Sequence, residues 1–469
     1  MIIPFATNSY KSRALPVSAQ RCVNMYSEAQ PRDAKAPIPI FGHPGITQLS
    51  TVSTGPIRAM YNMNEELYVV SGGKFYRVSS TGAVTLLGGT ILGSGPVSMS
   101  DNGNQIVIVN GAQGYIWSSD SGFQLISSAN FHPAKTVTFF DGYFVYDHTD
   151  TNQFFISELD DGNLYEFDNF ATAEVQSDQV TAVVNQQENL LVFGRRTIET
   201  WYDSGEANFP FGRYDGATIE RGCIASLSIV KEDNSVFFLG NDKIFYRLNG
   251  VIPVRVSTHA IEHAWNTYST VEDAFAFSYT FEGHKFVVIT FPSAPATWVY
   301  DISTGLWSER ISFDSNSNSF ARWRVNAYCN VYGKLMVGDA YSGGIGYIDI
   351  NTFEEFGNPI IAELVSPVLH NERKRVFVRL FELDAEVGVG AATGQGKNPQ
   401  IMLNWSRDGG RTWSALQLWT SMGKIGEFNK RLRWFQLGQG YQWVFKVTIS
   451  DPVNRCIISN NVELEIGSS

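Results

Sequence analysis

His259, Glu262 and His263 form an H-x-x-E-H pattern. On a helix, the two imidazoles share a face and offer a zinc ion two ligands, with Glu262 as general base. The pattern is short, its helical segment spans only 258–268, and no third carboxylate ligand stands out downstream. The expectation is therefore a structural helix, capped by Thr258 and burying Ile261 and Trp265 on one face. The adjacent acids Asp160-Asp161 and Glu354-Glu355 are the candidates for glycoside hydrolysis, which takes two carboxylates across one bond. Neighbouring acids in loops are ordinarily solvated. There is no G-x-S-x-G elbow and no G-x-x-x-x-G-K-[ST] loop, and Gly72-Gly73 and Gly343-Gly344 read as hairpin turns. No catalytic residue, cofactor or metal is expected.

The sharpest local motif is SRDGGRTW. It fits the Asp-box S-x-D-x-G-x-T-W at Ser406, Asp408, Gly410, Thr412 and Trp413. Its physics is that of a hairpin turn. Ser and Asp oxygens accept from the turn's N–H groups, glycine supplies a positive φ, and Trp packs back beneath. A degenerate copy keeps Ser118, Asp120 and Gly122. Asp-boxes occur in sialidases and in many β-proteins without activity. A sialidase would also carry an arginine triad, a Tyr–Glu nucleophile pair and an R-I-P segment, and no R-I-P occurs here. A structural role is expected. A carbohydrate-active propeller enzyme and a propeller that binds peptides are the alternatives.

Two basic stretches interleave cations with aromatics. One is NERKRVFVRL, with Arg373, Lys374, Arg375 and Arg379; the other is NKRLRW, with Lys430, Arg431 and Arg433. Such runs touch phosphate or an acidic protein surface. A protein–protein interface is the favoured reading. The whole chain carries a net −11, which argues against electrostatic wrapping of nucleic acid. Residues 361–469 carry a net +3, leaving −14 on the rest.

The elements that position these residues are β-strands. A short apolar strand, a turn and an aromatic strand recur from Glu66, Gln105, Tyr143, Asn189, Ser235, Lys285 and Lys334. Successive starts lie 39, 38, 46, 46, 50 and 49 residues apart, the period of four-stranded propeller blades. Each unit reads as the central hairpin of one blade. The expected fold is all-β: a propeller of about seven blades over 55–356, six and eight being the neighbouring counts. An extended, Pro- and Ser-rich arm (1–54) precedes it, lying across its own or a neighbouring subunit. A C-terminal β-domain (357–469) follows and contains the Asp-box hairpin and five of the eleven tryptophans. The glycine-rich 386–399 reads as a mobile loop.

The four cysteines, Cys22, Cys223, Cys329 and Cys456, are far apart and suit reduced thiols. The N-terminus lacks the layout of a signal peptide, and no run of 18 apolar residues exists.

Several stretches carry a family resemblance. QRCVNMYSEAQP (Gln20–Pro31) with FGHPGITQL (Phe41–Leu49), then Ile219–Gly250 and STHAIEHAW (Ser257–Trp265), resemble the packaged-DNA stabilisation proteins of short-tailed phages. So do NPQIMLNWSRDGGRTWS, GKIGEFNKRLRWFQLG and ISDPV, the most family-like part. The resemblance implies a tail nozzle, or tail hub, in the virion, assembled in the bacterial host cytoplasm. It implies a ring, as a hexamer, below the portal and its adaptor (head-completion) protein, with a tail needle or plug beneath and tailspikes alongside. DNA would pass through the lumen without sequence-specific binding. The ring would close the channel after packaging and serve as the conduit for ejection.

Overall fold

The computed structural model describes residues 5–176, 178–206, 209–372 and 374–467. Seven four-stranded antiparallel sheets form a propeller. Blade 1 runs Ile57–Met63, Glu66–Ser71, Lys74–Val78, Val84–Gly89, from the inside outward. Blades 2 to 6 occupy 98–125, 137–172, 180–213, 230–255 and 275–314. Each repeat found in the sequence is the central hairpin of its blade.

The near-continuous apolar runs of those hairpins follow from stacking. A strand presents alternate residues to opposite faces, and a blade has a neighbour on each. In Glu66–Ser71, Leu67 and Val69 join the cluster shared with blade 7, and Tyr68 and Val70 join the one shared with blade 2. In blade 2, Ile106 and Ile108 face blade 1, and Val107 and Val109 face blade 3. Burial on both sides demands hydrophobic residues at every position, not at every second one.

Blade 7 takes three strands from Val325–Val331, Lys334–Asp339 and Gly344–Asp349. Its outer strand is Gly45–Thr51, paired from Thr51↔Gly344 to Gly45↔Asp349. This strand lies within 1–54, the segment that the sequence groups as an arm. A Cβ on Gly45 would lie 2.4 Å from the carbonyl oxygens of Thr352 and Glu354, so the closing strand begins with glycine.

The C-terminal region is a two-sheet sandwich. One sheet holds Ala362–Val365, Gln442–Ile449, Gln400–Ser406 and Leu418–Ser421; the other holds Cys456–Ile466, Val376–Ala385 and Leu432–Gly440. Phe381, Trp434, Trp443 and Phe445 fill the space between them. The N-terminal segment is woven into both. Ala19–Val23 pairs with Ala362–Val365, while Ile40–Gly42 pairs with Cys456–Ile466. Cys22, Met25 and Ile40 lie in the sandwich core.

The same segment ties the sandwich to blade 6. Val23 pairs in parallel with Glu309 of the outer strand Leu306–Asp314. Arg21 bridges Glu309 at 2.6 Å and Glu363 at 3.2 Å, one acid on each side of the seam. Asn24, at φ 56°, turns the chain from one sheet to the other. Its amide donates to Ile311 O at 2.9 Å and Ile361 O at 2.8 Å. Asparagine tolerates this left-handed conformation better than most residues.

The stretch 386–399 is an irregular connection between sandwich strands, bonded across itself by Ala391 N–H to Gly396 O at 2.8 Å. The four cysteines are free and buried. Among the described residues, no helix is long and apolar enough to cross a membrane.

Candidate partner interface

The two basic stretches meet on one sheet of the sandwich. Val376–Ala385 pairs with Leu432–Gly440 on one side and Cys456–Ile466 on the other. Alternate residues of these strands fill the core, so the others form an outer face. Leu432–Gly440 is the edge of that sheet.

Most of the cations on this face already hold carboxylates. Arg431 grips Glu382 with two bonds of 2.6 and 2.7 Å, and Arg433 approaches the same acid at 3.6 Å. The hydrogen bond from Arg431 pulls the Glu382 carboxyl below its usual range. Arg379 pairs with Glu465 at 2.6 Å and Lys430 with Glu427 at 3.4 Å. Exposed pairs of this kind are screened by water and salt and stabilise little. Lys374 and Arg375 have no carboxylate partner among the described residues. The Arg375 guanidinium lies 5.6 Å from the centre of the Tyr441 ring, and Lys374 projects to solvent. Arg373 lies outside the described residues. Phe435 and Ile466, 60% and 62% exposed, set apolar surface among these charges. The acids Glu382 and Glu465 were not singled out from the sequence. Each sits tens of residues from its partner, and only strand pairing brings them together.

The Asp-box residues form a closed turn. Ser406 Oγ donates to Asp408 Oδ1 at 2.7 Å and accepts from Gly410 N–H at 2.9 Å. Asp408 accepts from the N–H groups of Arg411 and Thr412 and from Thr412 Oγ1 at 2.6 Å. Burial opposes its charge, but the bonds from Thr412, Ser406 and Arg411 outweigh it and pull the carboxyl down to about 2. Gly410 has φ 93°, and a Cβ there would lie 2.9 Å from Ala19 Cβ. Trp413 packs with Leu15, Ala19 and Val444. The turn is thus a shelf on which the N-terminal segment rests.

The H-x-x-E-H residues lie on the helix α1, His259–Asn266, between blades 5 and 6. Thr258 caps it, and Ile261 and Trp265 are buried. Arg255 donates to both oxygens of Glu262 and to His259 Nδ1 at 2.8 Å. Ser257 Oγ adds a further bond to Glu262 at 2.7 Å. The carboxylate of the motif is spent on fixing the helix to the preceding strand. Glu355, by contrast with the solvation expected of such acids, is buried and salt-bridged to Arg310 at 2.7 Å. Asp161 accepts from Gln105 Nε2 at 3.1 Å and Asn163 N–H at 2.9 Å.

The innermost strands surround a central cavity of about 550 Å³, with Tyr61, Phe139, Phe277, Tyr328 and Lys231 on its wall. That is the size of a small-molecule pocket, with no room for a nucleic-acid duplex.

The propeller is stitched to the sandwich through the chain's own N-terminal strands, and the sandwich presents a mixed apolar and charged sheet face. The family model described as "Bacteriophage P22 Gp10, beta-propeller" matches residues 1–353, and that described as "Bacteriophage P22 Gp10, beta-sandwich" matches 361–465. The chain belongs to this family, the tail nozzle and DNA-stabilisation proteins of short-tailed phages, and is a structural component of the virion tail. No curated protein sequence matches it. Among solved structures it is similar to the N-terminal domain of Nup159 (12% identity, 71% of this chain and 99% of that one, TM-score 0.42). It is also similar to BamB from Moraxella catarrhalis (9% identity, 70% and 97%, TM-score 0.38) and to the designed protein Ika8 (12%, 64% and 99%, TM-score 0.38).

Proposed function

We propose that this chain is one subunit of a ring that continues the DNA channel below the portal and its adaptor. In this reading the ring closes the channel after packaging and opens as a conduit at ejection. The family match across both propeller and sandwich, in order along the chain, carries the reading. The narrow propeller cavity supports it, because a DNA path then has to run between subunits. A head-to-tail interface closes into a ring when its rotation fits a whole number of copies, and six is the proposed number. The acidic body suits a lumen that repels DNA and lets it slide. Needle, adaptor and tailspikes are the proposed neighbours, and the chain itself performs no catalysis.

The sandwich face around Lys374, Arg375 and Phe435 is the proposed contact with the adaptor, with Arg379, Lys430, Arg431 and Arg433 at its margin. Mass photometry of the purified chain, alone and with a portal–adaptor complex of a related short-tailed phage, tests the whole reading. An increment of six subunits on the adaptor is expected. A chain that stays monomeric and ignores the adaptor would overturn it. Reversal of Lys374 and Arg375 to Glu tests the face: assembly on the adaptor should fall while the melting temperature holds.

A further inference from the structure

Blade 3 carries an acidic face. Between Lys135 and Arg195 the chain has eleven Asp and Glu and no Lys or Arg. The same stretch exposes five large hydrophobics within seventeen residues: Leu159, Leu164, Phe167, Phe170 and Val175. Phe167, 82% exposed, is the most open large apolar side chain among the described residues. Asp160, Glu166 and Asp168 lie exposed between them, and no cation pairs with any of the three among the described residues.

The loop that displays these side chains, residues 157–169, is held from behind. Tyr165 turns inward, and its hydroxyl donates to Gly162 O at 2.8 Å. Gln105 of blade 2 donates to Asp161 at 3.1 Å and accepts from Gly162 N–H at 2.8 Å. Glu158 N–H closes the loop on Leu164 O at 2.9 Å. A surface already fixed in place loses less entropy on docking. An exposed apolar patch with a polar rim marks a protein contact, and the carboxylates of this rim repel phosphate and anionic lipid alike.

A complement lies on the same chain. The strands Tyr10–Lys11 and Ala19–Val23 form a hairpin whose tip is closed by Ser12 N–H to Ser18 O at 3.0 Å. Val17 in this tip is 71% exposed, second only to Phe167. Lys11 and Arg13 flank it, and the Asp-box turn brings Arg411 alongside. Lys11 pairs with Ala19, and a Cβ on Gly410 would lie 2.9 Å from Ala19 Cβ; a Cβ on Gly409 would lie 3.1 Å from Pro16. Lys11, Arg13 and Arg411 are exposed and hold no carboxylate among the described residues. Leu416, 69% exposed, follows three residues after Trp413, which packs with Leu15.

The two patches cannot meet within one chain. The hairpin is fastened to blade 6 by Ser9 N–H to Trp307 O at 2.7 Å, and in a seven-bladed propeller no blade lies farther from blade 6 than three places, where blade 3 stands. We propose that the acidic apolar face of blade 3 in one copy receives the hairpin tip and Arg411 of the next copy. Phe167, Val17 and Leu416, the three most exposed large apolar side chains of the described residues, are covered together, and three free cations meet three free carboxylates. The contact is heterologous, with its two halves on opposite sides of the propeller, the kind that closes into a ring. It rests on the ring reading above and supplies the surfaces for it. Opposite charge sets register and on-rate, and the aromatic centre supplies the grip. The Asp-box gains a task, since its turn props the tip and presents Arg411.

The test uses full-length chains assembled on the portal–adaptor complex and read by mass photometry. Glu166→Lys with Asp168→Lys should weaken ring assembly about tenfold, and so should Arg13→Glu with Arg411→Glu. A chain with all four changes should assemble again, because the swapped charges meet. The melting temperature should hold throughout, since the four side chains are exposed and unpaired. Undiminished rings in either double variant, or no recovery in a fourfold variant that melts normally, would overturn the proposal. A cross-link separates this contact from the ring reading. Chains carrying Phe167→Cys are mixed with chains carrying Val17→Cys, with and without the adaptor, and treated with a short bismaleimide; the native cysteines are buried. A dimer linked in the mixture, and in neither chain alone, supports the contact even if six copies never gather on the adaptor, a result that fails the ring reading only. No linked dimer in either condition sinks the contact, and rings that form regardless then use another surface.

Discussion

The Asp-box hairpin and the junction around Arg455 both fix charged side chains, and they do so over opposite distances along the chain. In the hairpin, every bond to Asp408 comes from within four residues. At the junction, residues 43, 279, 310, 355 and 455 converge. The hairpin's charge is half-open to water and held by dipoles. At the junction of blades 6 and 7 with the sandwich the charges are fully buried: Arg310 holds Glu355 at 2.7 Å, and Arg455 donates to the carbonyl oxygens of Val453 and Phe353. Local turns thus stabilise modestly and fold early, whereas the junction forms only when three parts of the chain are in place, and one lost partner exposes the others to a poorly solvated interior.

The contrast is sharpest at Glu355. Glu355→Gln removes the carboxylate held by Arg310, Ser312 and Trp323 and should cost about 3–5 kcal/mol, read as a lower urea midpoint. A loss below 1 kcal/mol would show that the buried Arg310 does not depend on this acid. Asp408→Asn should cost less, about 1–2 kcal/mol, since the turn keeps one acceptor oxygen. Asp408 is held below its ordinary value near 4, so its contribution is complete above that pH and fades as pH falls towards about 2. Acid titration of stability in Asp408→Asn should therefore be flatter over that window.

His284 gives a smaller effect of the opposite sign. The hydrogen bond that His284 Nδ1–H donates to Asp301 at 2.7 Å raises its pKa, with Glu28 adding to the rise. Its contribution is then complete below the ordinary histidine range and is lost as pH climbs through the raised value. His284→Gln should flatten melting temperature against pH on the alkaline side of neutrality; an unchanged slope would place the titration elsewhere. The smallest effect on stability belongs to Lys374→Glu with Arg375→Glu, within about 0.5 kcal/mol. A larger loss of stability would mean that these residues serve the sandwich and not a partner.

The propeller was readable because its signal repeats. Central strands such as Glu66–Ser71 and Gln105–Val109 are buried on both faces, and their apolar runs recur once per blade. The helix at His259 was readable from its cap and its i, i+4 pair. The Asp-box was readable because its bonds are local. Arg310, Arg455 and His43 were not, since nothing near them in sequence marks them as neighbours. The ion pairs of Arg379 and Arg431 were hidden for the same reason, and their stretches read as free cation until strand pairing supplied Glu465 and Glu382. Gly45–Thr51 was read as part of an arm because its sheet partner lies on the far side of the propeller in sequence.

That last strand has a consequence for how the protein is made. Gly45–Thr51 leaves the ribosome well before its partner Gly344–Asp349, which emerges roughly 300 residues later, a separation that slows folding. Until then the propeller is an open arc with one bare edge, and that edge accepts the same strand from any nascent copy nearby. Synthesis of many copies in one cell during infection therefore favours exchange of this strand between chains. The clasp sets a race between closing on itself and closing on a neighbour, and the tether between blade 1 and its own closing strand, five residues from Val52 to Pro56, tilts that race towards the monomer.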